Sequence, residues 1–184
     1  MSSDQPYRPC VGVALVNPAG EAFIGHRRRK RSSEVLNARS WQMPQGGIDD
    51  GEEPLEAAKR ELWEETNVRS IELIAELPGW LNYDLPEGAR GRWSRRYRGQ
   101  TQKWFLFRFL GPDREIDVRR PADGAHDAEF DDWRWERFER LPELVVPFKR
   151  EVYEKVAAHF APIARAAVGG IVDRAGSARP PVGE

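Results

Sequence analysis

The chain of 184 residues carries a single cysteine, Cys10. That count excludes an internal disulfide framework and any zinc site built mainly on thiolates. Cys10 opens the apolar run Cys10-Val11-Gly12-Val13-Ala14-Leu15-Val16 and reads as a buried strand residue. No apolar stretch approaches the ~20 residues that span a bilayer. The start, MSSDQPYRPC, has neither the basic nor the apolar region of a signal peptide, so a cytoplasmic chain is expected. An excess of one charge is also missing: 29 basic residues face 30 acidic ones, a net charge of −1. A globally basic nucleic-acid coat is thereby excluded, while local patches remain open. The three histidines, His26, His126 and His159, are scattered without a zinc motif and read as structural or exposed. His126 stands near Glu129 in a segment that can close over a site. Gly46-Gly47 lacks the Lys-Ser/Thr of a P-loop, and no serine or cysteine nucleophile motif appears.

What is present fits one folded domain. The chain is 40% hydrophobic and 32% charged, outside the disordered range. Two strand-like runs, 10–16 and 21–25, flank the turn residues Asn17-Pro18-Ala19-Gly20. A helix is expected over 54–66. Pro54 suits its first turn, Glu52 and Glu53 suit its positive end, and Leu55, Ala58 and Leu62 form its apolar face. Asn67 is placed to stop it. A strand over 70–77 should alternate, with Ile71, Leu73, Ala75 and Leu77 on one face. A long Gly/Pro/Arg-rich loop over 78–100, strands at 102–110 and 130–136, and a last helix over 148–160 follow. That helix should turn Phe148, Val152, Val156 and Phe160 inward. The expected architecture is an α/β sandwich around a mixed sheet, one domain over 1–168, with a loosely ordered tail over 169–184.

The segment Arg60-Glu61-Leu62-Trp63-Glu64-Glu65 is the most informative. At ~100° per residue its three glutamates share one arc of about 100° beside the apolar face. Like charges so close repel. Arg60, four residues before Glu64, offsets part of this, and a divalent cation would offset more. Hard cations such as Mg²⁺ take carboxylate oxygens and are often completed by substrate phosphates. The cluster therefore suits metal-assisted attack of water on a phosphoanhydride. A solvated acidic helix face is the alternative for these residues alone.

Residues 46–68 resemble the signature of the Nudix hydrolases: Gly46, Glu52, Arg60, Glu61, Leu62, Glu64, Glu65 and Val68 stand at its spacing. Asn67 replaces the glycine of the pattern; asparagine is the next-best residue for a left-handed backbone. Around it, Tyr7-Arg8-Pro9, the run Trp41 to Gly47, Gln102-Lys103-Trp104-Phe105, the run Glu129 to Trp135 and the run Val145 to Arg150 resemble bacterial RNA pyrophosphohydrolases. That subfamily is also described as diadenosine polyphosphate hydrolases, and the likeness covers roughly 6–160.

The resemblance implies that Glu61, Glu64 and Glu65 are catalytic and, with Glu129, hold Mg²⁺, with Mn²⁺ or another divalent cation as substitutes. It assigns phosphate contacts to Arg8, Ser40, Tyr83 and Lys149, and a base sandwich to Arg27 and Phe148. Pro147 stands where the subfamily often has serine; it cannot donate a hydrogen bond, which leaves base preference open.

Two basic clusters, Arg27 to Arg31 and Arg90, Arg92, Arg95, Arg96 and Arg98, hold ten of the 29 basic residues. Trp93 and Tyr97 interleave with the second and offer stacking surfaces. At least one cluster is expected to line an RNA path, with Arg95, Arg96 and Arg98 as its residues, and a salt-sensitive attraction. The implied partner is the 5′-end of RNA or a dinucleoside polyphosphate, with no membrane and no DNA. The implied reaction is hydrolysis of the phosphoanhydride at a 5′-triphosphate or diphosphate end, priming RNA decay. Two alternatives stand beside it. One is a diadenosine tetra- or pentaphosphate hydrolase. The other is a non-catalytic RNA-end or nucleotide-binding module, against which the intact carboxylate set argues. A monomer suits the scattered apolar residues, although the sequence leaves oligomeric state open.

Overall fold

The computed structural model describes residues 5–28, 41–86 and 96–175, with side chains of the last helix to residue 167. Eight strands form one sheet: β1 (Tyr7–Val16), β2 (Ala22–Arg27), β3 (Trp41–Gln42), β4 (Gln45–Gly47), β5 (Ile71–Glu76), β6 (Leu81–Asp84), β7 (Gly99–Phe109) and β8 (Phe130–Glu136). The helices are α1 (Pro54–Thr66), the short α2 (Leu141–Leu144) and α3 (Arg150–Ala175). The order β3-β2-β1-β7-β5 has one parallel pair at its centre, β1 with β7. β4 lies antiparallel to the first half of β1, and β2 meets its far end. β5 and β6 divide the outer edge of β7 in the same way, and β8 covers β2.

Strand alternation sorts the core into two layers. Val11, Val13 and Leu15 of β1 and Phe105, Phe107 and Phe109 of β7 pack under α1 with Ala57, Ala58 and Leu62. Ala14, Val16, Trp104 and Leu106 face the other way, onto Val152, Tyr153, Val156 and Phe160 of α3. The fold is thus the expected α/β sandwich around a mixed sheet. Cys10 is buried, as its place in β1 predicts, and burial pushes its thiol up to about 11.

Three expectations are corrected. β5 does not keep one apolar face: its pairing with β7 slips between Leu73 and Ala75. This bulge puts Ile71 on the α1 side and Ile74, Ala75 and Leu77 on the α3 side, and leaves Leu73 44% exposed. The segment 78–100 is not all loop, because β6 pairs with the start of β7. The last helix does not stop at 160. Beyond it Ala161 and Ala164 remain buried, and the backbone stays helical to Ala175. Pro162 is exposed and so is Ala158, whose carbonyl it leaves without an N–H partner, so water can bond that carbonyl.

Candidate active site

α1 begins with Pro54 in its first turn and ends at Asn67, whose backbone is left-handed (φ 68°) and whose N–H donates to the Trp63 carbonyl. Arg60 ties the helix to the segment before it. Its Nε and Nη2 donate to the two carboxylate oxygens of Glu52, both at 2.8 Å. Nη2 also reaches the Gly47 carbonyl at 2.8 Å, and Nη1 reaches Glu61 at 2.9 Å and Glu64 at 3.1 Å. The pairing with Glu64 expected from spacing is present, and Glu52 adds a planar two-point fork. Glu52 in turn accepts the Asp49 N–H at 3.0 Å. Its carboxyl is held below the usual range, first by Arg60.

Glu65 lies deepest, only 9% exposed, and accepts the Gln45 backbone N–H at 3.2 Å. Burial above all, then the charges of Glu129 and Glu61, push its carboxyl well above the ordinary value. Burial likewise raises Glu61, against the pull of Arg60. The carboxylates therefore share one electrostatic neighbourhood. β4 brings them close to backbone: a β-carbon at Gly46 would overlap the Glu61 carboxylate, and one at Gly47 would overlap the Arg8 guanidinium. Glu129 is held from β2 by Arg27, at 2.6 and 3.0 Å.

The donor set is all carboxylate oxygen, partly desolvated and mutually repelling, and so fits a hard divalent cation. Among the described residues no three His, Cys, Asp or Glu side chains already converge as a ligand cluster. Arg60 holds Glu61 and Glu64, and Arg27 holds Glu129. A cation would compete with these guanidinia for the same oxygens.

Adjoining the Glu65 carboxylate through Gln45 stands a basic and amide group. The Lys149 ammonium, in a residue only 5% exposed, donates to Gln45 Oε1 at 3.0 Å and Gln42 Oε1 at 3.3 Å. It lies 5.5 Å from the centre of the Tyr83 ring. Burial, then Arg27, lower its pKa to about 7. Trp104 Nε1 can only donate, and it gives its hydrogen to Gln102 Oε1 at 3.1 Å. That contact turns the Gln102 amide nitrogen toward Gln45 Oε1, 3.4 Å away, and Gln100 Oε1, 3.0 Å away. The Gln45 side chain also lies near the buried Tyr83 hydroxyl, which burial pushes well above its ordinary value. These glutamines were passed over in the sequence. Gln42 and Gln45 stand in the resembling run Trp41 to Gly47, but only tertiary packing reveals what they hold.

Tyr83 and Lys149 thus lie against one another, while the Arg8 guanidinium stands over Gly47 and its charge acts on Glu61. Phe148 packs on Tyr83, with ring centres 5.7 Å apart. His126 stands 3.7 Å from Glu64 Oε1 and edge-on to Trp63, a closer approach to α1 than its sequence position beside Glu129 suggests. Arg98 forms a fork on Asp84 at 2.8 and 3.0 Å and covers the Tyr7 ring. Arg96 lies over Tyr97. Ser40, Arg95, the stretch Arg29 to Arg31, Arg90, Arg92 and Trp93 lie outside the described residues.

A model of the NUDIX domain matches residues 6–156. An RNA pyrophosphohydrolase of Bradyrhizobium sp. (strain ORS 278) is 58% identical over 162 residues, 88% of this chain and 96% of that protein. One from Azorhizobium caulinodans is 56% identical over 158 residues, 85% of this chain and 94% of that protein. Among solved structures, the Escherichia coli dihydroneopterin triphosphate pyrophosphohydrolase aligns with a TM-score of 0.59 at 18% identity, over 84% of this chain and 99% of that one. A Caenorhabditis elegans Ap4A hydrolase complex aligns at 0.57 and 19%, over 84% and 98%. At these identities the structures speak to the fold alone.

Proposed function

Because the chain belongs to the NUDIX domain family, we propose that it hydrolyses the phosphoanhydride at the 5′-triphosphate or diphosphate end of RNA. The observation that carries this reading is the identity of 58% with an RNA pyrophosphohydrolase along 96% of that relative's length. The site chemistry supports it: a partly desolvated carboxylate group lies within electrostatic reach of the cationic side chains of Arg8 and Lys149.

In this reading Glu61, Glu64, Glu65 and Glu129 hold Mg²⁺ or Mn²⁺. When bound, the cation neutralises charge on the phosphate chain and acidifies a bound water. The remaining work belongs to the chain's own residues. Arg8, Lys149 and the Tyr83 hydroxyl bind and orient the polyphosphate and meet the charge that gathers on its oxygens. Arg60 keeps Glu61 and Glu64 on one side of α1. Arg27 and Phe148 flank the base of an incoming nucleotide. Ser40 is retained as a phosphate contact, and Arg95, Arg96 and Arg98 as an RNA path. In the structure Arg98 is committed to Asp84, so its part there is to close the base of the connection between the paired strands β6 and β7. Among the described residues no helix is long and apolar enough to cross a membrane, which accords with a cytoplasmic enzyme.

The test compares 5′-triphosphorylated RNA, diphosphorylated RNA and diadenosine tetraphosphate with Mg²⁺, following released phosphate and pyrophosphate. Wild type runs beside Glu64→Gln. RNA should give the highest kcat/KM, and the variant should lose orders of magnitude in kcat while staying folded. A dinucleotide preferred tenfold would overturn the substrate, and near-normal turnover by the variant would overturn the role of Glu64.

A further inference from the structure

Beyond Glu129 lies a cavity of about 360 Å³, lined by Arg28, Arg119, Ala128, Phe130 and Asp131. It abuts the candidate site through the backbone. Arg28 follows Arg27 at the end of β2, and its N–H donates to the Glu129 carbonyl at 2.9 Å. Ala128 is the residue before Glu129.

The lining has three chemical parts. Arg28 and Arg119 are both exposed, and neither guanidinium has a hydrogen-bond or ion-pair partner among the described residues. Two unpartnered cations on one cavity favour an anion, and a guanidinium presents forked donors that match phosphate oxygens. Asp131 supplies an acceptor: its Oδ1 is held by His26 Nδ1 at 2.6 Å, and its side chain is 48% exposed. Phe130, fully buried, closes the floor with apolar surface. Forked donors, a carboxylate acceptor and an apolar floor match the phosphodiester, the 2′-hydroxyl and the carbon surface of one ribonucleotide. The 2′-hydroxyl is the group by which RNA differs from DNA at a given site.

We propose that this cavity is a ribonucleotide subsite. It takes a nucleotide downstream of the 5′-terminal one, with its phosphodiester on Arg28 and Arg119 and its 2′-hydroxyl on Asp131. The assignment rests on the RNA reading of the active site and deepens it. RNA reaches this cavity through its chain, whereas a dinucleoside polyphosphate has no phosphodiester to place there.

The test begins with binding alone. Fluorescence anisotropy follows a 5′-monophosphorylated RNA octamer across a salt series, with the full-length protein and the double variant Arg28→Ala/Arg119→Ala. Affinity should fall about tenfold, as for loss of one charge-assisted contact. The slope of log affinity against log salt should become shallower by about 0.7, the value for one phosphate on a single strand. For wild type, a DNA octamer of the same sequence should bind more weakly than RNA, and Asp131→Asn should narrow that gap. Hydrolysis of diadenosine tetraphosphate by the double variant should stay within about twofold of wild type.

Unchanged affinity and slope would overturn the subsite, as would an equal loss on the dinucleotide. Loss of inorganic phosphate binding with unchanged octamer binding would make it a free-anion site and overturn the proposal too. If triphosphorylated RNA is not hydrolysed but the octamer shows the expected losses, the catalytic reading fails and the subsite stands.

Discussion

The side-chain carbonyl of Asn67 accepts the backbone N–H of Asp123 at 2.9 Å, so the residue that ends α1 also pins the loop bearing His126 beside Glu64. The loop is strained at that point: Ala122 and Asp123 both have positive φ, 51° and 56°. A glycine at 67 would keep the left-handed turn but offer no acceptor.

Replacing Asn67 with glycine should therefore change global stability by no more than about 1 kcal/mol, yet loosen the loop. Amide hydrogen exchange followed by mass spectrometry should show faster exchange at Asp123 and its neighbours, with α1 unaffected. Unchanged protection at Asp123 would show that the side-chain bond does not hold the loop.

Glu52 accepts two charge-assisted bonds from Arg60 with its side chain 18% exposed. Glu52→Gln leaves the guanidinium short of an anionic partner and should cost about 2 kcal/mol in denaturant unfolding. A loss below about 0.5 kcal/mol would mean that Glu61 and Glu64 hold Arg60 unaided.

Gly47→Ala should leave the fold intact, because the added methyl meets the end of a flexible side chain, Arg8. Displacing that guanidinium removes polyphosphate binding together with charge stabilisation, so KM for triphosphorylated RNA should rise several-fold while kcat also falls. Gly46→Ala presses instead on the Glu61 carboxylate and should act mainly on kcat. Identical kinetic profiles for the two variants would refute the separation.

Lys149 gives a pH signature. Its pKa is lowered in the folded protein to about 7, by burial first, from an ordinary value of 10.5. Between those values the unfolded chain binds the extra proton, so stability rises with pH. Below about 7 both states carry the proton, and the full cost of a buried charge is present. Without added divalent cation, Lys149→Met should remove the Lys149 contribution to this rise and gain stability most at low pH. Thermal melts at pH 6 and pH 9 test this, and an equal gain at both values would contradict it.

Local pattern and long-range packing divide what the sequence discloses. The bounds 54–66 match α1 because a 3-4 apolar spacing, Pro54 and Asn67 all act within the helix. The glutamates share its face by the same arithmetic. β5 misled because Ile71 and Leu73 alternate correctly, while Ile74 next to Ala75 gives the opposite parity an equal claim. Only the slip against β7 decides between them. β6 has four residues, Leu81–Asp84, too few for a period, and exists because β7 offers them an edge. The glutamine group behind Lys149 joins Gln42 and Gln45 to Lys149, and Gln45 to Gln102, residues far along the chain, and no spacing signals it. His126 stood out only as a neighbour of Glu129, and packing against Trp63 sets it on Glu64.

The parallel pairing of β1 with β7 bears on the order in which a new chain assembles. Tyr7 lies beside Gly99 and Val16 beside Arg108, so the centre of the sheet cannot close until β7, long after β1 in the chain, has left the ribosome. Until then β1 can find only its early antiparallel neighbours, β2 and β4, and one long edge of its apolar strand stays open. Such late, non-local closure slows folding and exposes sticky intermediates. Arg8, made well before β7, reaches its place in the sheet only when β7 arrives, and Lys149 joins later still. A ribosome stalled midway would therefore release an inactive, adhesive fragment rather than a weak enzyme.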